Sequence, residues 1–61
     1  MTPEEWLLLV RMLTQQGPVC IAPADRKFLA EMTNILTVDD PPAPLPWQEK
    51  WLRTLKKECR L

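Results

Sequence analysis

Four sets of residues in this 61-residue chain have types and spacings that suit chemistry or binding. Lys50, Arg53, Lys57 and Arg60 recur at intervals of three, four and three. On a helix they form one stripe about 80° wide, able to grip phosphates or an acidic protein. The same stripe also suits a plain solvated face, because cations are favoured near a helix C-terminus by the dipole. Trp47 and Trp51 lie one helical turn apart. They suit base stacking, but two large rings in so small a chain are expected in the core. Leu7, Leu8 and Met12 lie off the main apolar face of their segment and offer a greasy surface to a partner. The proline-rich stretch folding over them is the competing arrangement. Cys20 and Cys59 are read as two reduced, partly buried thiols, with a disulfide tying the ends of the domain as the alternative.

What is missing narrows the chemistry further. The chain has no serine, histidine or tyrosine. That removes serine triads and histidine acid–base catalysis. Two cysteines without histidine cannot complete a four-ligand Cys/His zinc site. No base–nucleophile constellation stands out among the cysteines, lysines and acids. No enzyme activity, metal or cofactor is therefore expected.

The elements that must position these residues announce themselves by a phrase written three times. "TPEEWLLL" begins at Thr2, "APADRKFL" at Ala22 and "LPWQEKWL" at Leu45. In each, proline stands at the first helical position, where its missing N–H costs nothing. Two residues later Glu5, Asp25 and Gln48 can reach back to unpaired backbone N–H groups. Thr2 completes a capping box with Glu5, whereas Ala22 and Leu45 cannot cap through a side chain. The phrase therefore marks three helix starts, and good start chemistry accounts for the repetition.

Helices are expected over about 3–16, 23–36 and 46–59. Gly17 is placed to take the left-handed position after the first, and Pro18 to block its continuation. The second carries the stripe Phe28, Leu29, Met32, Ile35 and Leu36, and the third Trp47, Trp51, Leu52, Leu55 and Cys59. The first is apolar almost all round. Between the last two, "DDPPAPLP" excludes helix and central strand. An extended path over 39–45 spans about 22 Å at roughly 3.1 Å per residue, enough to return along the whole second helix. Its PxxP, Pro41 to Pro44, follows Asp39 and Asp40 rather than a basic residue, so it reads as a structural spacer.

The pattern "ADRKFLAEM…PLPWQEKWLRTL" over residues 24–55 resembles a two-helix element of small phage- and prophage-encoded proteins, sometimes appended to replication proteins. The matching positions are Asp25, Phe28, Leu29, Gln48, Trp51 and Leu52. The threonine usual at that element's helix starts is replaced here by Ala22 and Leu45. The resemblance implies a small cytoplasmic accessory protein of a mobile genetic element, and no particular activity.

The expected fold is all-α: one compact three-helix domain over 1–61, with a proline-rich extended crossover before the third helix. The net charge is zero, so no global field steers the chain to nucleic acid or acidic lipid. The distribution is uneven, with five basic and two acidic residues in 45–61 against three and six in 1–44. The longest apolar run, Trp6–Val10, is far short of the about 20 residues a membrane span needs. No secretion signal opens the chain, and a cytoplasmic location is expected. The expected function is a non-enzymatic interaction module. It docks on a protein, or on a second copy, through Leu7, Leu8 and Met12. The alternative is a nucleic-acid-binding domain using Lys50, Arg53, Lys57 and Arg60.

Overall fold

The computed structural model describes residues 1–17 and 19–61. It contains three helices, α1 (Pro3–Thr14), α2 (Pro23–Leu36) and α3 (Pro46–Glu58), and no strand among the described residues. Among the described residues no helix is long and apolar enough to cross a membrane.

The three starts share one geometry. The residue before each proline is extended, with φ/ψ of −78°/161° at Thr2, −73°/161° at Ala22 and −67°/157° at Leu45. The backbone N–H groups of Thr2, Ala22 and Leu45 donate to the side chains of Glu5, Asp25 and Gln48 at 3.0, 3.1 and 2.8 Å. Only in α1 is the box reciprocal, with Glu5 N–H donating to Thr2 Oγ1 at 3.2 Å. Ala22 and Leu45 have no side-chain oxygen to return the bond.

The helix ends depart from expectation. α1 stops at Thr14, two residues early, and Gly17 does not adopt a left-handed conformation. The guanidinium of Arg26 instead satisfies the freed carbonyls, donating to Gln16 O at 2.6 Å and to Thr14 O at 3.5 Å. A side chain from the next helix thus does what a glycine turn would have done. Pro18 lies outside the described residues. α3 ends in a Schellman turn: Leu61 N–H donates to Lys56 O at 3.0 Å and Arg60 N–H to Lys57 O at 3.2 Å. Arg60 takes the left-handed position there, at φ 56°.

The core is Trp6, Leu9, Val10 and Leu13 of α1, Ile21, then Phe28, Leu29, Met32 and Leu36 of α2, and Leu52 and Leu55 of α3. Ile35, Trp51 and Cys59 pack at its edge. Trp47, expected inside, is more than half exposed at 54%, while Gln48 is buried. The stripe on α3 is thus rotated toward Gln48, Leu52 and Leu55. Gln48 can be buried because its oxygen is occupied by the Leu45 N–H.

α1 approaches both other helices closely, while α2 and α3 have no Cα atoms within 8 Å of each other. They meet through long side chains. Trp51 stacks on Phe28 at 4.1 Å between ring centroids, inclined by 4°, and Trp47 lies 6.0 Å from Phe28. The Trp51 indole N–H donates to Asp25 Oδ1 at 2.9 Å. Farther along, the Cys59 thiol meets the Cys20 carbonyl oxygen at 3.9 Å. The order Trp47–Phe28, Trp51–Asp25, Cys59–Cys20 makes α3 antiparallel to α2. It begins beside the second turn of α2, so the crossover returns only eight residues from Leu36, about 12 Å of helix. Thr37–Asp40 turns the chain, with Asp40 at φ 54°, and residues 41–45 are neither helix nor strand, Leu45 being extended.

Candidate interaction surface

Two outward faces hold the residues singled out by sequence. The first lies beside α1. Leu8 is 60% exposed and Met12 40% exposed, whereas Leu7 is half-buried and packs against the core. Leu8 and Met12 do not stand alone. With Met1, Leu9 and Leu61 they line a groove of about 220 Å³, which also contains Glu5 and Lys56.

This groove exists because of both ends of the chain's helical path. The Schellman turn after α3 swings Leu61 back over the last turn of that helix and toward α1. The start of α1 supplies Met1 and Glu5. The Glu5 carboxylate is held below its ordinary pKa, first by the hydrogen bond from the Thr2 backbone N–H and then by the Thr2 side chain. Glu5 is therefore anionic at neutral pH, and the groove carries one acid and one base amid thioethers and leucines.

The sequence reading missed Met1, Glu5, Lys56 and Leu61. A signal for one of them was present: Glu5, Leu8 and Met12 stand at spacings of three and four, one helical line, whereas Met1 precedes the extended cap residue Thr2. Nothing in the sequence marks Leu61, because its position depends on a left-handed residue that is an arginine rather than a glycine.

The second face is on α3. Lys50, Arg53 and Lys57 flank an open, shallow groove of about 470 Å³ with Pro46, Glu49 and Thr54. Arg53 is already engaged. Its Nη2 and Nε donate to Glu49 Oε1 at 2.7 and 3.2 Å, and its guanidinium carbon lies 5.7 Å from the Trp6 ring centroid. Such an exposed ion pair adds little stability, but it neutralises charge within the stripe. Arg60 lies past the end of α3 in the left-handed turn, so only Lys50, Arg53 and Lys57 share the expected helical line. Trp51, the other half of the proposed stacking pair, has one face against Phe28 and its N–H on Asp25.

Among the described residues no group of three or more His, Cys, Asp or Glu is placed to hold a metal ion. Compared with known proteins, no family model matches the chain, and no curated protein or solved structure shows significant similarity to it.

Proposed function

We propose that this chain is a non-enzymatic interaction module that docks on a partner protein through the groove beside α1, with Leu8 and Met12 as anchors. The observation that carries the reading is the gathering of Met1, Leu8, Met12 and Leu61, all exposed, around one concavity. An exposed leucine forgoes about 1.5–3 kcal/mol of burial, so a cluster of such side chains favours a cover. The fitting occupant is the apolar face of a partner's helix, inserting side chains one turn apart. The methionines adapt to its shape, and Glu5 and Lys56 fix its orientation through charges of opposite sign. In keeping with the resemblance over residues 24–55, the module serves as a cytoplasmic accessory protein of a mobile genetic element.

Recognition of nucleic acid through Lys50, Arg53, Lys57 and Arg60 is the competing reading. It is the weaker one, because Glu49 and Trp6 occupy Arg53 and Arg60 leaves the helical line.

The test compares two double variants. A partner is first isolated from the native host and identified by mass spectrometry, and its affinity is then measured with purified protein. Leu8→Asp with Met12→Asp should weaken binding at least about a hundredfold, the loss of two central anchors. Lys50→Glu with Lys57→Glu should change it little. Concentration-dependent sedimentation that the first pair abolishes would make the partner a second copy. Salt-sensitive binding to DNA or RNA, lost on charge reversal and indifferent to the Leu8 and Met12 changes, would overturn the proposal.

A further inference from the structure

We infer that Cys20 and Cys59 form a dithiol site that a small-molecule disulfide of the glutathione type converts into an intramolecular disulfide, clamping the end of α3 to the connection between α1 and α2. The inference stands apart from the groove beside α1. The two residues are 39 positions apart in sequence, yet the Cys59 thiol reaches the backbone oxygen of Cys20 itself, at 3.9 Å. Both are free thiols, both are half-buried, and both pack at the edge of the core. Neither sulfur is held firmly. Among the described residues Cys20 Sγ has a long contact of 4.0 Å to Gln16 Oε1, and the Cys59 contact is equally weak. Cys20 lies in a turn, and Cys59 is the C-cap of α3, its N–H bonded to Leu55 O at 2.9 Å. Rotation about the two Cα–Cβ bonds, with adjustment of the turn at Cys20, brings the sulfurs toward each other while the end of α3 stays in place.

The exchange proceeds in two displacements. The Cys20 thiolate attacks one sulfur of oxidised glutathione, the S–S bond breaks, and one glutathione thiolate leaves and takes up a proton. The Cys59 thiolate then attacks the Cys20 sulfur of the mixed disulfide and expels the second glutathione thiolate, which is protonated in turn. The protein loses two electrons and two protons, and the reagent is reduced to two thiols. Burial pushes the Cys59 thiol up to about 11, helped by the neighbouring Cys20 thiol and by the charges of Glu58 and Asp25. Closure should therefore accelerate as the solution is made alkaline, as the Cys59 thiolate fraction grows.

The experiment incubates the full chain in glutathione buffers of graded oxidised-to-reduced ratio. Intact mass, alkylation and non-reducing digestion are read at each ratio. The expected product has lost two hydrogens, resists alkylation at both cysteines, gives one cross-linked peptide joining Cys20 to Cys59, and remains one chain. Closing so long a loop should raise the melting temperature by on the order of 10 °C. Cys59→Ser should stop at one glutathione adduct with no such rise. The mass result on the unaltered chain decides the matter even if that variant folds poorly. Two glutathione adducts without a link, a link between chains, or thiols that stay reduced under strongly oxidising buffer would each overturn the inference.

Discussion

The α1–α2 pair and α3 are assembled on different terms. α1 and α2 lie close enough for their backbones to approach, and both give aliphatic or thioether side chains to the one core: Leu9, Val10 and Leu13 from α1, and Leu29, Met32 and Leu36 from α2. Arg26 closes the pair by capping the end of α1. α3 touches α1 but stands off from α2, joined to it by the rings of Trp51 and Trp47 on Phe28 and one indole–carboxylate bond, with a weak thiol contact to Cys20 just before α2. Close aliphatic packing tolerates many substitutions of similar volume. Attachment through a few long side chains puts most of the energy on a few residues. α3 is thus the element whose docking single changes should control, and its amides should exchange hydrogen faster than those of mid-α2. Equal protection in α2 and α3 would erase the distinction.

The largest effect should come from Trp51. Trp51→Ala removes the stack on Phe28 and leaves Asp25 without the indole donor. The expected cost is about 3 kcal/mol, the low end for a large aromatic because the ring is half-buried. Trp47→Ala, one turn earlier and mostly exposed, should cost under about 1 kcal/mol. Urea melts followed by circular dichroism measure both. Equal losses would mean that the two rings act as one cluster.

Asp25 comes next. Its Oδ2 accepts the Ala22 N–H that starts α2, and its Oδ1 accepts the Trp51 N–H that holds α3. Asp25→Ala removes both at once and should cost about 1–2 kcal/mol. Asp25→Asn keeps one oxygen acceptor and should cost less. If the Asp25→Ala and Trp51→Ala losses add fully in the double variant, the indole–carboxylate bond contributes nothing, and α3 is held to α2 by its rings rather than by that bond.

The sequence made some of this legible and hid the rest for local reasons. All three helix starts were readable, since proline followed by an acid or amide two residues on is a strictly local signal. The stripe on α2 was readable too, because Phe28, Leu29, Met32 and Leu36 repeat at helical spacing and all are buried. The ends were not. Gly17 looked like the stop for α1, but the carbonyls it would have satisfied are met by Arg26, ten residues beyond Gln16. Trp47 and Trp51 occupy similar positions on the helical wheel, yet only Trp51 stacks face to face on Phe28, while Trp47 meets it at a tilt and stays mostly exposed. The difference arises from where the crossover lands α3 along α2, which no periodicity encodes. Of the groove beside α1, Leu8 and Met12 were identified. Leu7 was grouped with them because an apolar helix gives no clue to which of its sides is covered, and Leu61 was hidden by the left-handed Arg60.

A smaller effect should follow from that last residue. A non-glycine side chain in the left-handed region carries a penalty of about 1 kcal/mol. Arg60→Gly should remove it while keeping the Schellman bonds from Arg60 N–H and Leu61 N–H. Thermal melts should show a gain of a few degrees. The change also sharpens the contrast between the two outward faces, because it removes one member of the basic set and leaves the groove beside α1 in place. A loss of stability instead would show that the Arg60 side chain makes a contact worth more than the strain.

The smallest effect concerns the start of α1 and is best seen as a pH dependence. The Glu5 carboxylate titrates below its ordinary value because the Thr2 backbone N–H and side chain favour its charged form. Its folded pKa lies below the unfolded one, so its contribution to stability is present above an unfolded glutamate's pKa of about 4.3. That contribution fades as pH falls through the folded value, where the native state must take up a proton. Glu5→Gln keeps an oxygen to accept the Thr2 N–H but has nothing to titrate. Its melting temperature should therefore run slightly below that of the unaltered chain at neutral pH and converge with it in acid. Asp25 and Gln48 offer the internal comparison, since Gln48 already makes the equivalent bond at α3 without a charge. If the two curves stay parallel from neutral pH into acid, the capping bond at α1 is no stronger for being ionised. The charge at the rim of the groove would then be free for a partner to use.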